Sequence, residues 1–599
     1  MVKGALKIHS QNILPIIKKW LYSEKEIFIR ELVSNACDAL LKVKILQEKG
    51  QCLEDGEELR IDIHLDDKTI VISDTGLGMT AEEVEKYIAQ IAFSGAEEFV
   101  ALYEKDKDQI IGHFGLGFYS SYMVADLVDI DTLSYKVGSE GAFWSCDGST
   151  EYDMETSSRK ARGTSITLHV GTEHKEMLDK AHFKKLLLQY CQFMPFPIYL
   201  EGECINKKEP LWIKSALDCQ AEEYKDFFKT LYPNDLEPLF WVHLNVDYPF
   251  NLKGILYFPR LTAGHNFKDK QIYLFCNRVF VSDGAAELLP EYLSILKGAL
   301  DSPDLPLNVS RSMLQTDKTV RQLGAHISRK VVERLVVFYE QEKEGYLEAW
   351  PHIEIIIKLG VLQDEKFAEK AESLLVWKTS KGSWVSLKEY QERFGDKIFY
   401  ASDSHVSSEL LELFHAKGKE ILLSESAIDG SLFSYLENKA SLHFQRLDGA
   451  LDEMLLDNDR EKTLLDDKGQ TFGARLGLFA KEKLGRSDLQ IEVKSLASDS
   501  LPGFVLINEQ ERRMRDYMAL HQAEKAHHFK PQKTLVLNTN SPLIQSLDSL
   551  DSKDPLLAKE ILEQVFYLSL LSQKELQGEE VGVFVKQQSM LLEKLTSRL

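Results

Sequence analysis

Apolar residues in the segment 23–42, SEKEIFIRELVSNACDALLK, recur at helical spacing, with Phe28, Leu32, Ala36, Ala39 and Leu40 covering much of the circumference. Glu31, Asn35 and Asp38 share one remaining stripe, because positions i, i+4 and i+7 fall within an arc of about 60° on a helix. Carboxylates and amides resist burial unless something pairs with them. The stripe therefore either faces solvent or meets a shared ligand, and the helix alone does not choose between the two. The pattern then changes period. LRIDIHL at 59–65 and TIVIS at 69–73 alternate apolar and polar residues around Asp66, Asp67 and Lys68, which predicts a β-hairpin with Asp74 at its exit. Thr80 and Glu83 form a capping box ahead of a further helix. Strand patterns at 127–133, 143–146 and 165–170 extend a largely antiparallel sheet that helices must cover on one face. The fold class is α/β (α+β), beginning with an N-terminal two-layer α/β sandwich.

Pro195, Pro197 and Pro210 cluster with Glu201, Gly202, Glu203, Lys207 and Lys208, which marks a first domain boundary. The N-terminal domain is expected over 1–206 and a mixed α/β middle domain over 207–474. The middle domain contains strand-like runs at 254–259 and 271–281, a helical stretch at 316–344, and a second mixed unit suggested by 397–402 and 420–423. An α+β domain, 475–599, closes with two apolar-rich helices at 556–572 and 579–595. Their Leu557, Ile561, Val565, Leu568, Leu571, Val581, Phe584, Val585, Leu591 and Leu592 exceed what one helical hairpin hides. Pairing with a second copy would form a four-helix bundle, so a homodimer is expected. In ERRMRDYMAL, Met514 and Met518 stand at i and i+4, suited either to adaptable contacts with a partner or to a core.

Composition narrows the classes. With 599 residues the chain exceeds a single core, and its net charge of −22 argues against nucleic acid as a partner. Seven cysteines (Cys37, Cys52, Cys146, Cys191, Cys204, Cys219 and Cys276) lack the spacing of a zinc site or a disulfide framework. The start has no signal-peptide pattern and no run of about 18 apolar residues occurs, so a soluble cytoplasmic protein off the membrane is expected.

Three further motifs carry candidate chemistry. In SDTGLGM, Asp74 ends a strand while Gly76 and Gly78 permit a tight turn, so the carboxylate can accept a hydrogen bond from an exocyclic amine such as adenine's. In GHFGLGF, Gly112, Gly115 and Gly117 lead toward a helix at 119–124, an arrangement able to cradle an anion but lacking the GK[ST] of a Walker loop. In GTSITL, Thr164 opens a strand that could lie beside Asp74. Taken singly, each is equally an ordinary strand exit, a glycine turn or a structural threonine. Together, E-x3-N-x2-D, D-x-G-x-G, G-x2-G-x-G and G-T resemble the ATPase fold shared by gyrase B, heat-shock protein 90 chaperones, sensor histidine kinases and MutL.

Within that group EIFIRELVSNACDAL is similar to the heat-shock protein 90 chaperones, and the block at 276–315, CNRVFVSDGAAELLPEYLSILKGALDSPDLPLNVSRSMLQ, resembles their middle-domain signature. The resemblance covers roughly residues 5–330 clearly and the rest by pattern. It implies an ATP-dependent chaperone, a homodimer clamp acting on unfolded or partly folded clients, with ATP and Mg²⁺ as cofactors. By the same resemblance Asn35 holds Mg²⁺, Asp74 with Thr164 reads adenine, and Asp38, Met79 and Phe118 line the pocket. Glu31 is the general base for water, steadied by Arg30, and Arg311 with Gln315 reaches the phosphates from the middle domain. Residues 95–117 would close over ATP as a lid.

The sequence departs from the family at Phe93 and Ala96, where a lysine and then a threonine are usual, and in a short LTAGHNFKDK stretch. It ends KLTSRL, without the MEEVD tail of eukaryotic cytosolic members, which favours the bacterial branch and co-chaperones that do not grip such a tail. A DNA-linked ATPase should carry a basic surface, and a histidine kinase should carry a phospho-acceptor helical domain before its ATPase domain. A non-hydrolysing nucleotide-binding scaffold remains an alternative that phosphate release would separate.

Overall fold

Helix α1, Ile27–Glu48, carries the site stripe and is held by burial, since fourteen of its 22 residues are buried and its N-cap Glu26 makes no side-chain cap. Each fully buried Phe or Leu contributes about 1.5–3 kcal/mol, more than the missing cap costs. The helix begins later than the expected Ser23 and runs past Lys42, because Val43, Ile45 and Leu46 still find the core. The computed structural model describes residues 24–51, 56–90, 115–149, 151–248, 250–261, 272–284, 288–308, 318–401, 407–457, 471–521, 531–576 and 578–597. The chain divides into two compact units, Met1–Arg334 and Leu335–Leu599.

In the first unit α1 packs on an eight-stranded sheet made of β1 (Ile61–Leu65), β2 (Thr69–Asp74), β3 (Ala125–Leu133), β4 (Gly141–Cys146), β5 (Asp153–Ser157), β6 (Gly163–Val170), β7 (Ile198–Leu200) and β8 (Glu203–Cys204). The strand order is β5-β4-β3-β6-β2-β1-β7-β8, antiparallel throughout except for the β1–β7 pair. The expected hairpin is β1–β2, with Ile61 opposite Asp74. Along β2 the burial alternates, so Ile70, Ile72 and Asp74 point inward and the site carboxylate shares the core face. Strand β5 has no apolar alternation and is a largely exposed edge strand, invisible to a periodicity argument. Thr80 and Glu83 form the expected capping box on the helix Ala81–Tyr87.

The glycine loop leads into a 3-10 helix, Gly117–Met123, and not the α-helix expected at 119–124. Ser120 and Ser121 hydroxyls donate to the carbonyls of Gly117 and Phe118, at 2.6 and 2.7 Å, three residues back. Such local bonds compete with regular α-helix and favour the tighter turn.

The same unit contains a second sheet of β9 (Phe240–Val246), β10 (Leu252–Phe258), β11 (Ile272–Cys276), β12 (Val279–Ser282) and β13 (Lys297–Asp301), ordered β12-β11-β13-β10-β9. The run at 271–281 is thus two strands, turned at Asn277 and Arg278 with φ of 50° and 65°. A two-residue hairpin loop of type I′ needs positive φ at both positions. Arg278 N–H is held by the buried Asp301 carboxylate at 3.1 Å, which also accepts from Trp212 Nε1 at 3.1 Å. Phe193, Trp212 and Phe275 join one aromatic cluster across residue 206, so the core of this unit is continuous there.

In the second unit a five-stranded sheet comprises β14 (Val376–Thr379), β15 (Trp384–Ser386), β16 (Lys397–Ala401), β17 (Leu422–Leu423) and β18 (His443–Arg446). A three-stranded sheet holds β19 (Leu489–Lys494), β20 (Gly503–Ile507) and β21 (Lys533–Asn538). Phe399 and Leu455 share a core with Leu501 and Phe504, so packing runs through residue 474 as well. The chain closes with the helices Pro555–Ser572 and Gly578–Thr596, within two residues of the expected ends. Asp554 caps the first of these, accepting from Leu557 N–H at 3.1 Å.

Candidate functional site

The antiparallel register sets Asp74 opposite Thr164 and Thr164 opposite Thr132, which lines a carboxylate and two hydroxyls across β2, β6 and β3. All three are buried. Asp74 Oδ1 accepts from Gly76 N–H at 2.8 Å, so the turn that the glycines permit also orients the carboxylate. Burial pushes the Asp74 carboxyl up to about 7, against the opposing pull of the Gly76 N–H, Arg159, the Thr164 backbone and Arg162. A carboxylate this short of compensation is suited to a donor from a ligand.

Two glycines are fixed by space. A Cβ on Gly76 would lie 2.5 Å from the Ala39 Cβ of α1, and one on Gly78, at φ +60°, would lie 1.8 Å from the Leu133 carbonyl oxygen. Thr132, which the sequence argument missed, is the hub here. Its Oγ1 accepts from Met79 N–H at 2.9 Å and lies 2.9 Å from Thr164 Oγ1. A second missed residue, the buried Arg162, donates through Nη1 to the carbonyls of Thr75 and Gly76. No motif flags either residue. Only the strand register, which sets Thr132 opposite Thr164, could have pointed to the first.

At the other end, the polar stripe of α1 grades from exposed to buried. Asn35 is exposed, Glu31 is half-buried and Asp38 is buried. Lys42 continues the stripe at the next turn; burial lowers its ammonium while the Asp38 charge opposes that. Arg30, itself buried, donates Nε and Nη2 to Glu31 Oε1 at 3.0 and 2.9 Å. Glu31 Oε2 is left facing the glycine loop, where a Cβ on Gly117 would sit 2.6 Å from it. Gly115 holds φ +61°, and Phe118 is buried edge-on against Tyr119, Tyr122 and Trp144. The structure therefore brings Glu31 to Gly117, and Asp74, Gly76, Gly78 and Met79 to Thr164. Gly112, Arg311 and Gln315 lie outside the described residues, as do Phe93 and Ala96.

The donor set fits a magnesium nucleotide. A buried acceptor stands at a glycine turn, an exposed amide stands on the open stripe, and a carboxylate with one pinned and one open oxygen meets a glycine loop. No group of three or more metal-ligating His, Cys, Asp or Glu residues occurs among the described residues, so a metal here would lean on the nucleotide's own oxygens.

An α/β sandwich with this helix, strand-end carboxylate and glycine loop defines an ATPase-type nucleotide-binding domain. A family model described as histidine kinase-, DNA gyrase B- and HSP90-like ATPase matches residues 22–176, and one described as Hsp90 protein matches residues 200–595. The chain belongs to the Hsp90 family. It is 39% identical over 574 residues to a chaperone protein HtpG of Porphyromonas gingivalis, covering 90% of this chain and 84% of that protein. It is 36% identical to one of Bacteroides fragilis, over 92% and 85% of the two chains. With one of Desulfitobacterium hafniense it shares 31% over 93% of each. Among the described residues no helix is long and apolar enough to cross a membrane.

Proposed function

We propose that this chain is an ATP-hydrolysing chaperone of the HtpG type that works as a homodimer clamp on unfolded or partly folded client proteins. The observation that carries the hydrolytic reading is Glu31, whose Oε1 is fixed by Arg30 while Oε2 faces Gly117. Adenine is read by Asp74, with Thr164 beside it, and Asp38, Met79 and Phe118 line the pocket. Gly76 and Gly78 shape the base end, and Gly112, Gly115 and Gly117 cradle the phosphates. Asn35 would hold Mg²⁺, which supplies charge neutralisation at the phosphates. Glu31 then takes the proton from water at Oε2, and the Arg30 clamp keeps that oxygen aimed without a rotamer search. Arg311 and Gln315 complete the charge stabilisation from the next segment.

In this reading 1–206 binds nucleotide, 207–474 supplies Arg311, and 475–599 dimerises. Dimerisation draws support from the exposed apolar residues of the last two helices, Leu568, Leu571, Val581, Val585 and Leu592. Met514 is 49% exposed on the helix Glu509–His521, which suits client contact better than a core role. Six described cysteines are all free, in keeping with a reducing cytoplasm. Steady-state phosphate release tests the reading. Glu31→Ala is expected to lower it by about 10²- to 10⁴-fold while ATP binding persists. An unchanged rate removes Glu31 from the chemistry.

A further inference from the structure

Asp74 is buried at the end of β2, and among the described residues two cations act on it, Arg159 and Arg162, both from the loop between β5 and β6. Arg162 reaches back from that loop and donates Nη1 to the carbonyls of Thr75 and Gly76, the two residues that follow Asp74. Its neighbour Gly163, at φ +113°, lies so close that a Cβ there would stand 2.1 Å from the Asp74 carbonyl oxygen. Arg159 lies further out. Its Nη1 donates to Ser165 Oγ at 2.8 Å, its Nε donates to the Ala161 carbonyl at 3.0 Å, and it stands 4.0 Å from the Asp131 carboxylate of β3.

Among the described residues, the other groups acting on the Asp74 charge are the uncharged Gly76 N–H and the Thr164 backbone. From α1 the nearest titratable side chains are Cys37, whose thiol burial holds neutral, and the carboxylate of Asp38. Strand β3 contributes the uncharged Thr132, and Arg60 beside β1 is turned to Asp62 and Glu58.

We propose that Arg162 and Arg159 are positioning residues for nucleotide recognition: Arg162 clamps the base-reading turn, and the two together supply the positive field under which Asp74 serves as an acceptor. The proposal rests on the adenine-reading role given to Asp74 above. A neutral carboxyl is a poorer acceptor for an amine donor, and the buried Asp74 changes state at about 7. Nucleotide affinity therefore rises as pH rises through that region. Removing a nearby cation moves the rise to higher pH. The two arginines separate the two contributions, because Arg162 donates to the carbonyls of the turn itself, whereas the bonds of Arg159 go to Ser165 and Ala161.

The test is Mg-ADP affinity of the full-length protein between pH 6 and 9, taken as the ratio of variant to wild type so that the probe's own titration cancels. Arg159→Gln is expected to weaken binding about threefold near pH 7 and to converge on wild type by pH 9. Arg162→Gln should weaken it about tenfold or more near pH 7 and recover only in part, because the turn is also released. Arg162→Lys, which keeps the charge but loses the forked donor, should restore the midpoint and leave the high-pH affinity reduced. Ratios that stay flat with pH for Arg159→Gln, measured on protein whose urea unfolding matches wild type, overturn the proposal. Wild-type protein that binds no Mg-ADP at any pH overturns the nucleotide reading itself, a distinguishable failure.

Discussion

Helix α1 and the last helix, Gly578–Thr596, are similar in length and both apolar-rich, yet they are completed in opposite ways. Around α1 the chain covers the apolar faces and leaves two members of a polar stripe accessible, Asn35 exposed and Glu31 half-buried. On the last helix Val581, Val585, Met590 and Leu592 remain 38–56% exposed, with Leu568 and Leu571 exposed on the preceding helix. An exposed amide beside a carboxylate with one open oxygen offers donors and acceptors to a polar ligand, whereas apolar groups left without cover call for another surface. On the reading proposed above, one helix is finished by a small molecule and the other by a second copy.

The contrast breaks most easily at the C-terminus. Val585→Asp combined with Leu592→Asp is expected to weaken self-association by 100-fold or more, since it sets a charge into each apolar strip that pairing would bury, and sedimentation velocity would report monomer. A dimer that survives both substitutions would mean that the exposed strip is not the interface. At α1 the corresponding change is Gly117→Ala, whose methyl would meet Glu31 Oε2 at 2.6 Å. Turnover should fall by about 10²-fold, with global stability in urea little changed, because displacing the base by about an ångström is costly for chemistry and cheap for packing. The smallest effect is expected at Thr132→Val. Loss of the hydroxyl strands Met79 N–H and Thr164 Oγ1, which should cost about 1–3 kcal/mol in urea unfolding and leave the dimer intact.

The first hairpin, the capping box at Thr80 and the two closing helices stand within a few residues of where periodicity sets them, because each is written in contiguous sequence. Turn chemistry was harder to see. Asn277 and Arg278 hide a hairpin inside what reads as one strand, and the Ser120 and Ser121 hydroxyls tighten what reads as an α-helix. Among the site residues Glu31, Asn35, Asp74 and Thr164 carry recognisable spacing. Arg162 and Thr132 carry none, since their roles depend on partners from 32 to 87 residues away.

By itself the sequence determined the local alternation, the glycines and caps, the polar stripe on α1 and the surplus of apolar residues at the C-terminus. Each of these follows from neighbours within a few positions along the chain. Only the tertiary structure decided which face of each strand is buried, that Glu31 Oε2 faces Gly117, and that two arginines and Thr132 gather around the Asp74 turn. Those outcomes depend on register between distant strands and on how far each carboxylate is removed from water, and neither is encoded by spacing alone.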